Sequence, residues 1–81
     1  MEIVGAEIEI DARGLYCPIP VLRLAKAFRG RPDGTVAKLL ATDPAAREDV
    51  EVFCREGGHE LLEFRRDGPL CCFRVKKRGV L

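Results

Sequence analysis

In this 81-residue chain, Cys17-Pro18-Ile19-Pro20 is the segment whose residue types and spacing combine into chemistry. A cysteine thiolate attacks sulfane sulfur, keeps it as a persulfide and gives it up to another thiolate, so a sulfur carrier needs an accessible, partly ionised thiol. A cysteine directly before a helix meets the positive end of the macrodipole and unpaired backbone N–H groups. That position should lower a thiol from its usual pKa of ~8.5. With Cys17 as the N-cap, Pro18 takes the first helical position and Pro20 the third, and neither can donate. The N–H of Ile19 is then the expected donor to sulfur. Both prolines stiffen the turn that holds the thiol. Arg23 and Lys26, one and two turns on, should add positive charge near the same end or dock acidic partners.

Residue types alone leave two readings of this segment open: a reactive thiol on a pre-set turn, or a helix started by Pro18 with Cys17 as a small neighbour. The other three cysteines sort by position. Cys54 falls on an apolar helical stripe and Cys71 shares strand parity with Phe73 and Val75, so both read as buried small hydrophobes. Cys72 faces outward with Arg74 and Lys76 and is the possible second thiol. Cys71 and Cys72 are consecutive and point to opposite faces of a strand, which suits no disulfide between them. No Cys-x-x-Cys pair is present to pair with His59 or Cys54 in a zinc site, and neither metal nor cofactor is expected. His59, at a strand start, reads as structural. Asp43 reads as a helix cap and nothing more. Lys76, Lys77 and Arg78 read as a solvated basic tail.

The elements that must position Cys17 can be read from hydrophobic period. Ile8 and Ile10 alternate with Glu7, Glu9 and Asp11, predicting a strand over Ala6 to Asp11. Val21, Leu24, Ala25 and Phe28 recur at helical spacing from Pro18 to about Arg29, with Arg23, Lys26 and Arg29 on another face. Gly30, Pro32, Asp33 and Gly34 end that helix. Thr35 to Thr42 reads as a well-covered strand with Ala37, Leu39 and Ala41 on one face. Asp43-Pro44 starts a second helix with Ala46, Val50, Phe53 and Cys54 as its apolar stripe, and Gly57-Gly58 stops it. His59 to Arg66 and Leu70 to Lys77 flank Asp67-Gly68-Pro69 as a hairpin, with Leu62 and Phe64 expected to face Phe73 and Val75. The predicted fold is an α+β two-layer sandwich of order β-α-β-α-β-β, a four-stranded mixed sheet with two helices on one face.

Bulk properties bound the function. The length suits one domain over residues 1–81. At 47% hydrophobic and 33% charged, the chain can bury an ordinary core. Fourteen Lys and Arg against thirteen Asp and Glu leave a formal charge of +1, which argues against a phosphate-backbone binder. Met1 to Ala12 has no Lys or Arg and no long apolar core, so no signal peptide is read there, and no apolar run nears the roughly 20 residues of a membrane span. A cytoplasmic location is expected, where disulfides are rare.

Three blocks carry a family resemblance: Gly14-Leu15-Tyr16-Cys17-Pro18-Ile19-Pro20, Asp43-Pro44-Ala45-Ala46 with Asp49-Val50 and Phe53, and Gly58-His59-Glu60-Leu61-Leu62. In order and spacing they resemble the TusA (SirA-like) family of sulfur-transfer proteins across nearly the whole chain. The resemblance implies that Cys17 corresponds to the family's persulfide-bearing cysteine, with Gly14, Leu15, Pro18, Ile19 and Pro20 as the motif that supports it. It implies a fold like the C-terminal domain of a bacterial translation initiation factor. It also implies a sulfurtransferase acting as a relay, with little turnover alone. Its sulfur would come from a cysteine desulfurase or rhodanese-like protein and pass to an acceptor protein, in tRNA thiolation, cofactor synthesis or sulfur oxidation. Cys54, Cys71 and Cys72 are additions to the plainest family pattern. The competing reading is a regulatory or RNA-associated binding module that uses Arg23, Lys26 and Arg29, with Cys17 structural; near-neutral charge and few aromatics count against it.

Overall fold

The computed structural model describes residues 7–78. Four strands, Ile8–Ala12 (β1), Val36–Ala41 (β2), Glu60–Asp67 (β3) and Leu70–Lys76 (β4), form one sheet in the order β1-β2-β4-β3. β1 runs parallel to β2, whereas β4 is antiparallel to both of its neighbours. The parallel pair is joined through the helix Ile19–Phe28 (α1), and the helix Ala46–Gly57 (α2) leads from β2 into the β3–β4 hairpin. The element order and the mixed sheet are those the sequence predicts.

Alternation decides which face is covered. On β2, Ala37, Leu39 and Ala41 are buried while Val36, Lys38 and Leu40 are only partly so, and β4 repeats the pattern with Cys71, Phe73 and Val75 buried. These side chains join Leu24 and Phe28 of α1 and Ala46, Val50 and Cys54 of α2 in one core. Both helices therefore serve one face of the sheet. The predicted stripe of α2 is seen almost residue for residue, and Gly58, in the left-handed region at φ 75°, closes the helix with its N–H on the Cys54 carbonyl.

Two expectations fail here for definable reasons. Leu62 does not face the core. The pairing steps from Leu61 opposite Val75 to Glu63 opposite Arg74, so a bulge leaves Leu62 without a partner and reverses the inward parity. Leu61 and Phe64 pack on the core instead, Phe64 with its ring centroid 5.2 Å from that of Phe73, and Leu62 is exposed. Arg47 stacks over the Phe64 ring, its guanidinium carbon 4.5 Å from the ring centre.

Nor is Lys76-Lys77-Arg78 a loose basic tail. The Lys77 ammonium donates to the carbonyls of Phe28 and Arg31 at the end of α1, where the helix dipole favours a cation. Arg78 pairs with Glu60 at 2.9 Å, and its N–H donates to His59 Nδ1. His59 lies against the rings of Phe28 and Phe53, with burial and Lys77 holding its pKa below the ordinary histidine value. This is the structural role expected of it.

Candidate functional site

Parallel pairing of β1 and β2 sets the carboxyl ends of these strands side by side, so the loops leaving them must meet. Two long-range hydrogen bonds fasten the loops together. The N–H of Gly14 donates to Thr42 Oγ1 at 2.9 Å, and the N–H of Cys17 donates to Asp43 Oδ2 at 2.6 Å. Gly14 turns the chain at φ 79°, a left-handed conformation that disfavours any side chain, and Leu15 beyond it packs against the core. Tyr16 and Cys17 follow on the exposed rim.

The helix begins one residue later than the Cys17 N-cap expectation requires. Pro18 holds the N-cap position, Ile19 is the first helical residue and Pro20 the second, and the Cys17–Pro18 peptide is cis. The N–H of Ile19 donates to the Tyr16 carbonyl at 2.8 Å. It is therefore not the donor to sulfur. Pro20 is buried and anchors the first turn, whereas Ile19 is 40% and Leu22 54% exposed, with Tyr16 at 74%. Large apolar side chains are thus exposed on either side of the exposed Cys17 in the chain.

The electrostatics of that thiol also reverse the expectation. Its pKa is raised above the ordinary thiol value, first by a hydrogen bond to the Asp49 carboxylate, then by desolvation and by the charges of Asp49 and Asp43. A helix N-terminus favours an anion only by a fraction of an elementary charge, and two nearby carboxylates outweigh it. Arg23 and Lys26 do not compensate. They line a different groove, shared with Glu9 and Asp11 at the β1 edge, and Arg23 acts on Asp11 rather than on Cys17. A groove of two cations and two carboxylates is a poor phosphate track, which removes the main support for a nucleic-acid reading.

Asp43 is not the N-cap predicted for it. α2 begins at Ala46 with Ala45 as its N-cap, so Pro44 is not the first helical residue and Asp43 closes the turn that precedes the helix. One oxygen accepts from the N–H of Ala45 at 3.1 Å, the local role, while the other holds the Cys17 backbone. Ala45 makes no side-chain cap. With Glu48, Asp49 and Glu56, the apolar Val21, Val52 and Phe53 complete a hollow of about 330 Å³ beside Cys17 and Pro18. Sequence reading missed Asp49 as a contact to the thiol. The clue lay in topology: once β1 and β2 are parallel neighbours, the first turn of α2 must abut the Cys17 loop.

Cys72 is half-buried on the opposite, helix-free face of the sheet, in a hollow with Lys38, Leu40 and Arg74, so the structure does not bring it to Cys17. Cys54 and Cys71 are buried. Among the described residues no group of His, Cys, Asp and Glu is arranged to hold a metal ion, and no helix is long and apolar enough to cross a membrane.

The contact to Asp49 makes a pH-dependent prediction. Removing its charge in Asp49→Asn takes away the leading cause that favours the protonated thiol, so the Cys17 pKa should fall. The pH profile of Cys17 alkylation should then shift to lower pH, with faster alkylation at neutral pH. An unmoved midpoint would show that Asp49 does not act on the thiol.

Comparison with known proteins places this geometry in context. A family model described as "Sulfurtransferase TusA" matches residues 8–77. The "Sulfur carrier protein TusA" of Allochromatium vinosum is 39% identical over 69 residues, covering 85% of this chain and 91% of that protein. The protein of the same name from Pseudomonas syringae pv. syringae is 36% identical over 79 residues, covering 98% and 94%. The "Putative sulfur carrier protein YrkI" of Bacillus subtilis is 37% identical over 68 residues, covering 84% and 91%. Among solved structures, a SirA-like protein from Desulfitobacterium hafniense matches with a TM-score of 0.77 at 27% identity, over 88% of this chain and 97% of that one.

Proposed function

The chain belongs to the TusA family of sulfur carriers, and from that premise we propose that Cys17 is the thiol that carries the sulfur. The observation that supports this most is its placement. Cys17 is the exposed cysteine of the four, at a helix start fixed by Pro18 and the buried Pro20, with its backbone tied to Asp43. In loading, the Cys17 thiolate attacks the outer sulfur of a donor persulfide. A new S–S bond forms on Cys17, the donor S–S bond breaks, and the donor cysteine leaves as a thiolate. In unloading, an acceptor thiolate attacks the outer sulfur and Cys17 leaves as the thiolate. Neither step has a net change of oxidation state, so no cofactor is called for.

Gly14, Leu15, Pro18, Ile19 and Pro20 support the thiol by shaping its turn, and Cys72 stays outside the reaction. The donor in this reading is a cysteine desulfurase or a rhodanese-like protein and the acceptor is a protein thiol. The pathway is tRNA thiolation, cofactor synthesis or sulfur oxidation. The protein acts as a sulfurtransferase with little turnover on its own, in the cytoplasm, where the thiol remains reduced. Residues 1–81 act as one carrier domain.

The test is intact mass spectrometry after incubation with a cysteine desulfurase and cysteine, and with thiosulfate and a rhodanese. A gain of about 32 Da, reversed by reductant and mapped to the peptide containing Cys17, is expected. Cys72→Ser should load as the wild type does. Loading that maps to Cys72, or none from either donor, overturns the assignment.

A further inference from the structure

A carrier must present its sulfur to another protein, so whatever surrounds Cys17 is covered at each transfer. On that reading of Cys17, the chemistry of its surroundings describes the partner. Two features dominate. Tyr16, Ile19 and Leu22, all within five residues of Cys17, are exposed large apolar side chains, and Val21, Val52 and Phe53 line the hollow beside the thiol. Three of the four exposed large hydrophobic residues among those described fall within residues 16–22, and exposed apolar side chains that are not scattered mark an interaction site. The rim on the α2 side carries Glu48, Asp49 and Glu56, and the described ion pairs engage none of the three. The neighbouring Glu51, by contrast, pairs with Arg47.

Carboxylates in this position work against the thiol, since a negative rim opposes the thiolate that the reaction requires. A partner that brings positive charge removes the conflict. We propose that the hollow beside Cys17 is the docking face for a partner protein whose own reactive cysteine is flanked by Arg or Lys side chains. Those cations seat against Glu48, Asp49 and Glu56 while apolar groups of the partner cover Tyr16, Ile19 and Leu22. Docking and activation are then one event. The cations that pair with the rim also favour the Cys17 thiolate, and an acidic partner is repelled. The groove of Arg23 and Lys26, shared with Glu9 and Asp11 at the β1 edge, does not take part.

The test uses thiol–disulfide exchange, which needs a free Cys17 but no sulfur loading, so it succeeds or fails separately from the carrier assignment. The substrates are two synthetic cysteine peptides, one flanked by Arg and Lys and the other by Glu, each activated as the thionitrobenzoate disulfide. The Cys17 thiolate attacks the peptide sulfur, a protein–peptide disulfide forms, and the coloured thionitrobenzoate thiolate leaves. The protein carries Cys72→Ser, and the rate of Cys17→Ser,Cys72→Ser is subtracted. At low salt the basic peptide should react at least about tenfold faster than the acidic one, and the preference should shrink as salt screens the rim. In Glu48→Lys,Glu56→Lys the preference should vanish or invert, and because the same two peptides are compared their intrinsic reactivities cancel. Circular dichroism checks that the variant is folded. A preference unchanged by both substitutions, absent in the wild type, or indifferent to salt overturns the proposal.

Discussion

Cys17→Ser is expected to remove sulfur loading altogether, with the ~32 Da gain absent under donor conditions that load the wild type fully. The expectation is all-or-none because no other cysteine can stand in. A hydroxyl keeps the size and the polar contacts of the thiol but cannot hold a persulfide. Cys54 is buried among the core residues of α2, and burial with the charge of Glu51 pushes its thiol up to about 11, far from any useful thiolate fraction. Cys71 is 6% exposed on the covered face of β4. Cys72 has partial access, but it opens onto the helix-free face among charged side chains, with the sheet between it and the hollow at Cys17. A donor docked at Cys17 therefore has no second thiol within reach. Far-ultraviolet circular dichroism of Cys17→Ser should match the wild type, since the side chain is exposed and its tether to Asp43 runs through the backbone N–H. Residual loading of the variant would move the carrier role to another cysteine.

How far the site could be read in advance depended on whether its causes were local. The existence of a helix after the prolines, though not its first residue, the exposure of Cys17 and the burial of Cys54 and Cys71 follow from prolines and from periods of 3.6 and 2, all signals within a dozen residues. The pKa of the thiol did not, because its cause is Asp49, which reaches Cys17 only after β1 and β2 pair in parallel. The same pairing gives Asp43 its second partner and takes Arg23 and Lys26 away from the thiol to the β1 edge. Lys77 shows the same logic at the other end of α1. Its run of basic residues looks like a tail in sequence, and only the fold brings the carbonyls of Phe28 and Arg31 to it. Strict alternation also misled at Leu62. A bulge spends one residue without a partner, and nothing in Glu60 to Phe64 announces it.

That bulge and the core it feeds make Phe73→Ala the most damaging substitution expected for stability. Phe73 has no exposed surface and lies opposite Leu39 on β2 and Phe64 on β3, at the centre of the sheet under both helices. Truncating a buried Phe removes its transfer free energy and leaves a cavity that neighbours only partly fill, at a cost of about 3–5 kcal/mol. Small domains hold roughly 5–10 kcal/mol in total, and each kcal/mol shifts the midpoint of a domain this size by about 4–8 °C. A fall of roughly 15 °C or more in Tm is expected, read by thermal or urea unfolding. Leu62→Ala is the comparison that isolates the cause. Strict alternation would bury Leu62 and make the two substitutions similar, whereas the bulge exposes it and limits the loss to about 1 kcal/mol or less. Equal losses would refute the bulged register. Cys17 sits at the far end of the parallel strands, on a turn fixed by Gly14, Pro20 and Asp43 rather than by Phe73. Sulfur loading by Phe73→Ala should accordingly survive at temperatures where the variant remains folded and disappear with its unfolding, so that loading follows the folded fraction.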